Sequence, residues 1–176
     1  MFVLWVLSYF FMEVIMRKFE KIDREVFERD IPSGNYDELK LPIRSTKNSA
    51  GYDFFSPISF ELKVGESKVI PTGIRVMMNE DEFLGIYIRS SLGFKYNIRM
   101  CNQVGIIDAD YYNNIENGGH IFVKIKNEGT ADVSFDIGDR IVQGIFTKYL
   151  ITDDDSATNE RLGGIGSTGE GDDNNE

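Results

Sequence analysis

Residues 67–78 read SKVIPTGIRVMM, two short apolar runs rich in β-branched side chains and parted by Pro71, Thr72 and Gly73. A helix through this stretch would have to hold a proline without an N–H donor and a glycine that costs about 1 kcal/mol in a helix interior. Two strands, 67–71 and 73–78, joined at the Pro-Thr-Gly break suit all three residues. The same texture runs from residue 41 onward, with apolar or alternating stretches at 58–64, 84–88, 97–103, 121–126, 133–135 and 139–150, parted by Gly, Pro, Asn and Asp. Eight short strands without an internal repeat predict an all-β domain of the jelly-roll or other sandwich type.

Upstream, residues 17–29 (RKFEKIDREVFER) place Phe19, Ile22, Val26 and Phe27 at helical spacing, which predicts a short helix ended by Ile31, Pro32, Ser33 and Gly34. Residues 1–12 (MFVLWVLSYFFM) are almost wholly apolar. They are fewer than the roughly 20 needed to span a bilayer as a helix. No positive charge precedes them and no small-residue cleavage site follows, so membrane contact and secretion are not expected. They read as an extension, with Met12 or Met16 as an alternative start. After Thr152 the composition turns to Asp, Asn, Ser, Thr and Gly, with little to bury. The expected organisation is an apolar extension at 1–16, a β domain at 17–152 and a flexible acidic arm at 153–176.

The chain has 176 residues, 41% of them hydrophobic, enough for one domain with a sizeable core. Its 19 Lys and Arg against 29 Asp and Glu give a net charge of -10, the wrong sign for a nucleic acid polymer as partner. One cysteine, Cys101, excludes a disulfide within the chain, and one histidine, His120, excludes a site built from several Cys or His ligands. Any metal must be a hard cation held by oxygens.

Five segments carry residue types that packing alone does not demand: SAGYDFFSP at 49–57, RSSLGFK at 89–95, NQVGIIDADYY at 102–112, GDRIVQGIF at 138–146 and RLGGIGSTG at 161–169. Singly, most of them also read as turns. Asp108 and Asp110, leaving the apolar run 104–107, are either a solvated turn or an acid–base and cation site. The glycines of GGIGSTG leave backbone N–H groups free to wrap an anion, with the Ser167 and Thr168 hydroxyls as further donors.

In this order and spacing, over residues 49–169, the five segments resemble the motifs of the trimeric dUTPase family, which hydrolyses deoxyuridine triphosphate to the monophosphate and pyrophosphate. The resemblance implies a dUTPase-like β-clip fold and a homotrimer whose active sites are shared between subunits. Asp108 matches the base that deprotonates the water attacking the α-phosphorus. Tyr111 matches the tyrosine that packs on the deoxyribose and leaves no room for a 2'-hydroxyl. Asn102 matches the reader of the uracil edge, with the main chain of Ile106, Ile107 and Phe122 completing the base pocket. Arg89, Ser90 and Ser91 match the phosphate-binding turn, and Gln143 the amide that reaches the α-phosphate. Arg161, Ser167 and Thr168 match the arm that closes over the β- and γ-phosphates. Mg²⁺ is implied as cofactor, held by the phosphates and waters, with Asp53 contacting one such water. A cytoplasmic location and a role in keeping uracil out of DNA follow from the same resemblance.

Three departures stand out. Ile165 occupies the place of the family's stacking phenylalanine, and Arg161 lies closer to GSTG than in many members. NNIENG postpones the glycine expected after Tyr112, so the second hairpin strand is expected from Gly119 or His120. His120 then reads as a surface residue of that loop, and Cys101 as a buried apolar neighbour of Asn102. Two rivals are a dCTP deaminase on the same scaffold, which needs a Glu where this chain has Lys124, and a dUTPase-like sensing or protein-binding module with weakened catalysis.

Overall fold

Alternation of the kind seen in FVKIKN at 122–127 sends Val123 and Ile125 inward and Lys124 outward, and this rule builds most of the molecule. The computed structural model describes residues 17–159, 161, 163 and 164. In chain order the elements are β1 (Lys18–Lys21), α1 (Arg24–Asp30), β2 (Ile43–Arg44), β3 (Tyr52–Phe55), β4 (Phe60–Leu62), β5 (Ser67–Pro71), β6 (Ile74–Met77) and β7 (Glu82–Ile88). They continue with α2 (Ser90–Tyr96), β8 (Ile98–Met100), β9 (Gly105–Asp108), β10 (Phe122–Asn127), β11 (Val133–Phe135) and β12 (Arg140–Lys148).

The main sheet runs β2-β3-β12-β7-β9, and smaller sheets pair β5-β10-β8, β1-β6 and β11-β4. Every pairing is antiparallel. The long β12 lies between β3 and β7, and Phe54, Ile70, Leu84, Ile86, Ile121, Ile125, Ile141 and Val142 are buried in one continuous core. This is the jelly-roll-like all-β fold that the alternation predicts. All eight expected strands are present, with ends shifted by a few residues.

The expected helix at 17–29 is corrected. Residues 18–21 form β1, with Phe19 opposite Val76, and the helix begins only at Arg24. Phe19 packs against the rings of Tyr52, Phe54 and Phe146, with centroids 5.2, 5.5 and 5.4 Å away. Burying a phenylalanine is worth roughly 1.5–3 kcal/mol, more than the few tenths per residue at stake in helix propensity, so the sheet takes the segment. The helix ends as expected, with the Ile31 N–H donating to the Phe27 carbonyl. Ser90 and Ser91, also readable as turn residues, open α2, which buries Leu92 and ends at Asn97 in the left-handed region (φ 53°).

His120 is also corrected: it is fully buried. Gly118 and Gly119, at φ 67° and 82°, turn the loop inward in a conformation that other residues rarely adopt. The His120 Nε2 then accepts from the Gly73 N–H at 2.9 Å, while Nδ1 lies 2.7 Å from Asp30 Oδ2. An amide donor at Nε2 requires a lone pair there, so the ring is neutral with its proton on Nδ1, donating to the carboxylate. Cys101 is half-buried rather than buried, and the second hairpin strand starts at Phe122.

Burial pushes the His120 imidazole below its ordinary value, although Asp30 pulls the other way. The unfolded chain therefore takes up a proton near pH 6.5 that the folded chain refuses, and stability falls as pH drops through that region. Asp30, held low first by Arg29, adds a loss only at more acidic pH. The melting temperature, followed by calorimetry, is expected to fall between pH 7 and pH 5. In His120→Phe the profile over this window should be flatter from a lower starting value; parallel profiles would assign the titration to other groups.

Candidate active site

The edge strand β9 delivers the acidic pair. It pairs β7 with Gly105 opposite Ile86 and Asp108 opposite Phe83, and a single 3-10 turn, Ala109–Tyr111, follows. Beside it opens a cavity of about 610 Å³, within the size range of small-molecule sites. Asn102, Ile106, Ile107, Asp108, Tyr111, Phe122, Lys124 and Arg161 line it, over a floor that includes Ile86 and Met100. Apolar walls with a few convergent polar groups suit a ligand that has both a flat apolar face and a polar edge.

Tyr111 is buried, and burial pushes its phenol up. Its hydroxyl donates to the His120 carbonyl at 3.0 Å and accepts from Asn117 Nδ2 at 2.8 Å. With the oxygen occupied, the ring is the part left to meet a ligand. The loop that postpones the hairpin is wrapped around this tyrosine. Asn114 Nδ2 donates to the Tyr111 carbonyl at 2.9 Å, and Asn114 Oδ1 accepts from the N–H groups of Glu116 and Asn117.

Asp108 and Asp110 share one cation. Arg161 Nη2 lies 2.6 Å from Asp108 and its Nε 2.8 Å from Asp110, with the guanidinium 5.7 Å from the centre of the Tyr111 ring. Asp108 remains half-exposed, so water can still reach it. Three residues on, the Gly164 N–H donates to the Glu116 carboxylate. A Cβ at Gly164 would meet Glu116 Oε2 at 2.9 Å and Asn117 Nδ2 at 3.2 Å, so the arm approaches these two side chains closely here.

A second cluster stands apart. Asp53 Oδ1 accepts from Arg89 Nε at 2.8 Å, while Oδ2 accepts from Ser45 at 2.7 Å and from Arg140 at 3.3 Å. Gln143 on β12 lies opposite both Asp53 and Tyr87. Arg89 precedes α2, whose first residues are Ser90 and Ser91, and its Nη1 is 3.5 Å from the Ser91 hydroxyl. Arg89 is six positions along the chain from Phe83, the partner of Asp108. At about 3.3 Å per residue the two sites are roughly 20 Å apart. Ile165, Ser167 and Thr168 lie outside the described residues.

Among the described residues no group of three or more His, Cys, Asp or Glu could hold a metal ion. Asp53 accepts three hydrogen bonds, one at Oδ1 and two at Oδ2, which leaves Oδ1 an acceptor site of the kind a water can use. Sequence reasoning also missed Glu116, Asn117, Ser45 and Arg140 as partners of site residues. Arg140 sits inside the GDRIVQGIF segment and could have been found there; the others are legible only through contacts.

Comparison with known proteins agrees with this geometry. The family model described as dUTPase matches residues 37–169. A deoxyuridine 5'-triphosphate nucleotidohydrolase of Lactococcus lactis is 43% identical over 133 residues, covering 74% of this chain and 89% of its own. One of Haemophilus influenzae is 35% identical over 158 residues, covering 85% and 98%. The crystal structure of dUTPase from Streptococcus mutans superposes with a TM-score of 0.65 at 37% identity, covering 77% of this chain and 98% of that one. With the family model spanning most of the β domain and the matched segments lining the cavity and the Arg89 cluster, the chain belongs to the dUTPase family.

Proposed function

We propose that this protein hydrolyses dUTP to dUMP and pyrophosphate. The observation that carries the proposal is one cavity bringing together the Asn102 amide, the ring of Tyr111 and the Asp108 carboxylate. Asn102, with a donor and an acceptor on one amide, reads the uracil edge beside the main chain of Ile106, Ile107 and Phe122. The Tyr111 ring lies against the deoxyribose and excludes a 2'-hydroxyl by size. Asp108 takes a proton from a water as that water's oxygen bonds the α-phosphorus. The bond from the α-phosphorus to the bridging oxygen breaks, and the electron pair leaves with pyrophosphate.

Arg161 holds Asp108 and Asp110 in the nucleotide-free chain. In this proposal it transfers to the phosphates when dUTP binds and frees the base, and Ser167 and Thr168 follow on the same arm. Ile165 covers the uracil with aliphatic rather than aromatic surface. Residues 17–152 are then the catalytic body and 153–176 the closing arm. Mg²⁺ belongs to the proposal as an ion carried by the phosphates and their waters, a common mode for this cation. Asp53 is assigned to orienting Arg89 and, as the resemblance implies, to contacting one of the ion's waters.

Asp108 and Arg89 lie toward opposite ends of β7, their backbones roughly 20 Å apart. This separation favours a reading in which Arg89, Ser90, Ser91 and Gln143 reach the nucleotide from a neighbouring subunit of a homotrimer with shared sites. Among the described residues no helix is long and apolar enough to cross a membrane, and a cytoplasmic location is proposed from the substrate.

Asp108→Asn is expected to lower kcat by about 10²- to 10⁴-fold, the usual weight of a general base, while dUTP binding measured by calorimetry stays within a few fold. A kcat within threefold of the parent would move the base to another group, Asp110 first.

Arg89→Ala and Asp108→Asn chains, each inactive alone, should regain activity when unfolded together and reassembled. Random assembly of a symmetric ring places both intact groups in about a quarter of the sites. No recovery in trimers shown by mass to be mixed would return both groups to one chain.

A further inference from the structure

His120 lies behind the cavity wall and holds two of its residues at once. Its main-chain carbonyl accepts the Tyr111 hydroxyl at 3.0 Å, and its ring packs on Phe122 with centroids 4.1 Å apart. The imidazole is itself fixed from two distant parts of the chain. Gly73, in the turn between β5 and β6, donates to Nε2, and Asp30, the last residue of α1, accepts from Nδ1. Asp30 is in turn held by Arg29, at 2.7 Å. The N-terminal helix thus anchors the His120 side chain, and the same residue's main-chain carbonyl holds the ring that faces the cavity.

We propose that the Asp30–His120 pair is a specificity-positioning device: it sets the depth and tilt of the Tyr111 ring and so the clearance at the sugar's 2'-position. The arrangement does more than fill space. A buried residue needed only for packing would be met by an aliphatic side chain, whereas here both ring nitrogens are used and the acid comes from an element outside the site. Excluding a hydroxyl from a sugar face depends on an ångström or less of clearance, and a ring tethered at its far end by a fixed carbonyl keeps that clearance. Phe122, braced by the same imidazole, closes the adjoining base pocket. This inference rests on the reading of Tyr111 as the sugar gate, and its test separates the two.

The experiment compares kcat/KM for dUTP and for UTP in the intact enzyme and in Asp30→Ala, Asp30→Asn, His120→Phe, Tyr111→Ala and the Asp30→Ala/Tyr111→Ala double variant, each with its melting temperature. His120→Phe keeps the bulk against Phe122 and loses both ring hydrogen bonds. Asp30→Asn keeps an acceptor and serves if the more drastic variants fail to fold. Asp30→Ala and His120→Phe should lower the dUTP-to-UTP ratio by at least about threefold, with Asp30→Asn between them and the parent. Adding Asp30→Ala to Tyr111→Ala should cost no further selectivity, as expected for residues acting through one another. A lowered melting temperature with an unchanged ratio, or selectivity losses that add in the double variant, would overturn the positioning role and leave the pair merely structural. An unchanged ratio in Tyr111→Ala alone would instead sink the gate, and the inference with it.

Discussion

The antiparallel pairing of β9 with β7, which sets Asp108 opposite Phe83 and Gly105 opposite Ile86, determines where chemistry can occur in this molecule. Strand β7 continues to Ile88 and hands the chain directly to Arg89 and α2, so the acidic and the basic site residues sit toward opposite ends of one strand. A slip of one residue would turn every side chain of β9 to the other face, and Ile107 would lose its place against the core. The core thus fixes the register, and the register fixes the distance. That distance is the physical basis of the shared-site proposal, in which an oligomer brings the two groups together.

Net charge poses a second constraint. In the proposed reading a chain of -10 receives a polyanion with local cations rather than an overall field. Arg89 and Arg140 are held against Asp53, and Arg161 against Asp108 and Asp110. Each guanidinium thus has a carboxylate partner in the free protein. A carboxylate behind an arginine limits its rotamers and aims its remaining donors, so less ordering is left for the moment of binding. The aim of Arg89 is the better fixed of the two clusters, since Asp53 is buried and also takes a hydroxyl from Ser45.

The strands were legible because alternation and Gly or Pro breaks are local signals, and FVKIKN or SKVIP carries its burial pattern in its own letters. Phe19 was not, because the same spacing of apolar residues serves a helix until the rings of Tyr52, Phe54 and Phe146 arrive from elsewhere in the chain. His120 was misread for a similar reason. A histidine after NNIENGG looks solvated, and only the Gly73 amide, 47 positions away, and Asp30, 90 positions away, make the interior hospitable. For the site, residue types and order pointed to the family, but nothing in the letters separates Arg89 from Asp108 in space. Nor do they show that the extra loop residues grip Tyr111 through Asn114 and Asn117.

The arm's contact with Asp108 must be weak enough to exchange, and its surroundings bear on this. The Arg161 side chain is 11% exposed but that of Asp108 is 49% exposed, and a pair with one solvated partner is worth little net, about 0–1 kcal/mol for open surface pairs. A second carboxylate, Asp110, is 57% exposed and adds attraction of the same screened kind. A triphosphate presents more charge than the two carboxylates together, so it can outcompete them for the guanidinium. Departure of Arg161 would leave Asp108 open to water beside the cavity, where the proposed base must act. The contact of Glu116 with the Gly164 amide also ties the arm to the body. It engages backbone three residues past Arg161, so the guanidinium can swing from carboxylate to phosphate while that part of the arm keeps its place.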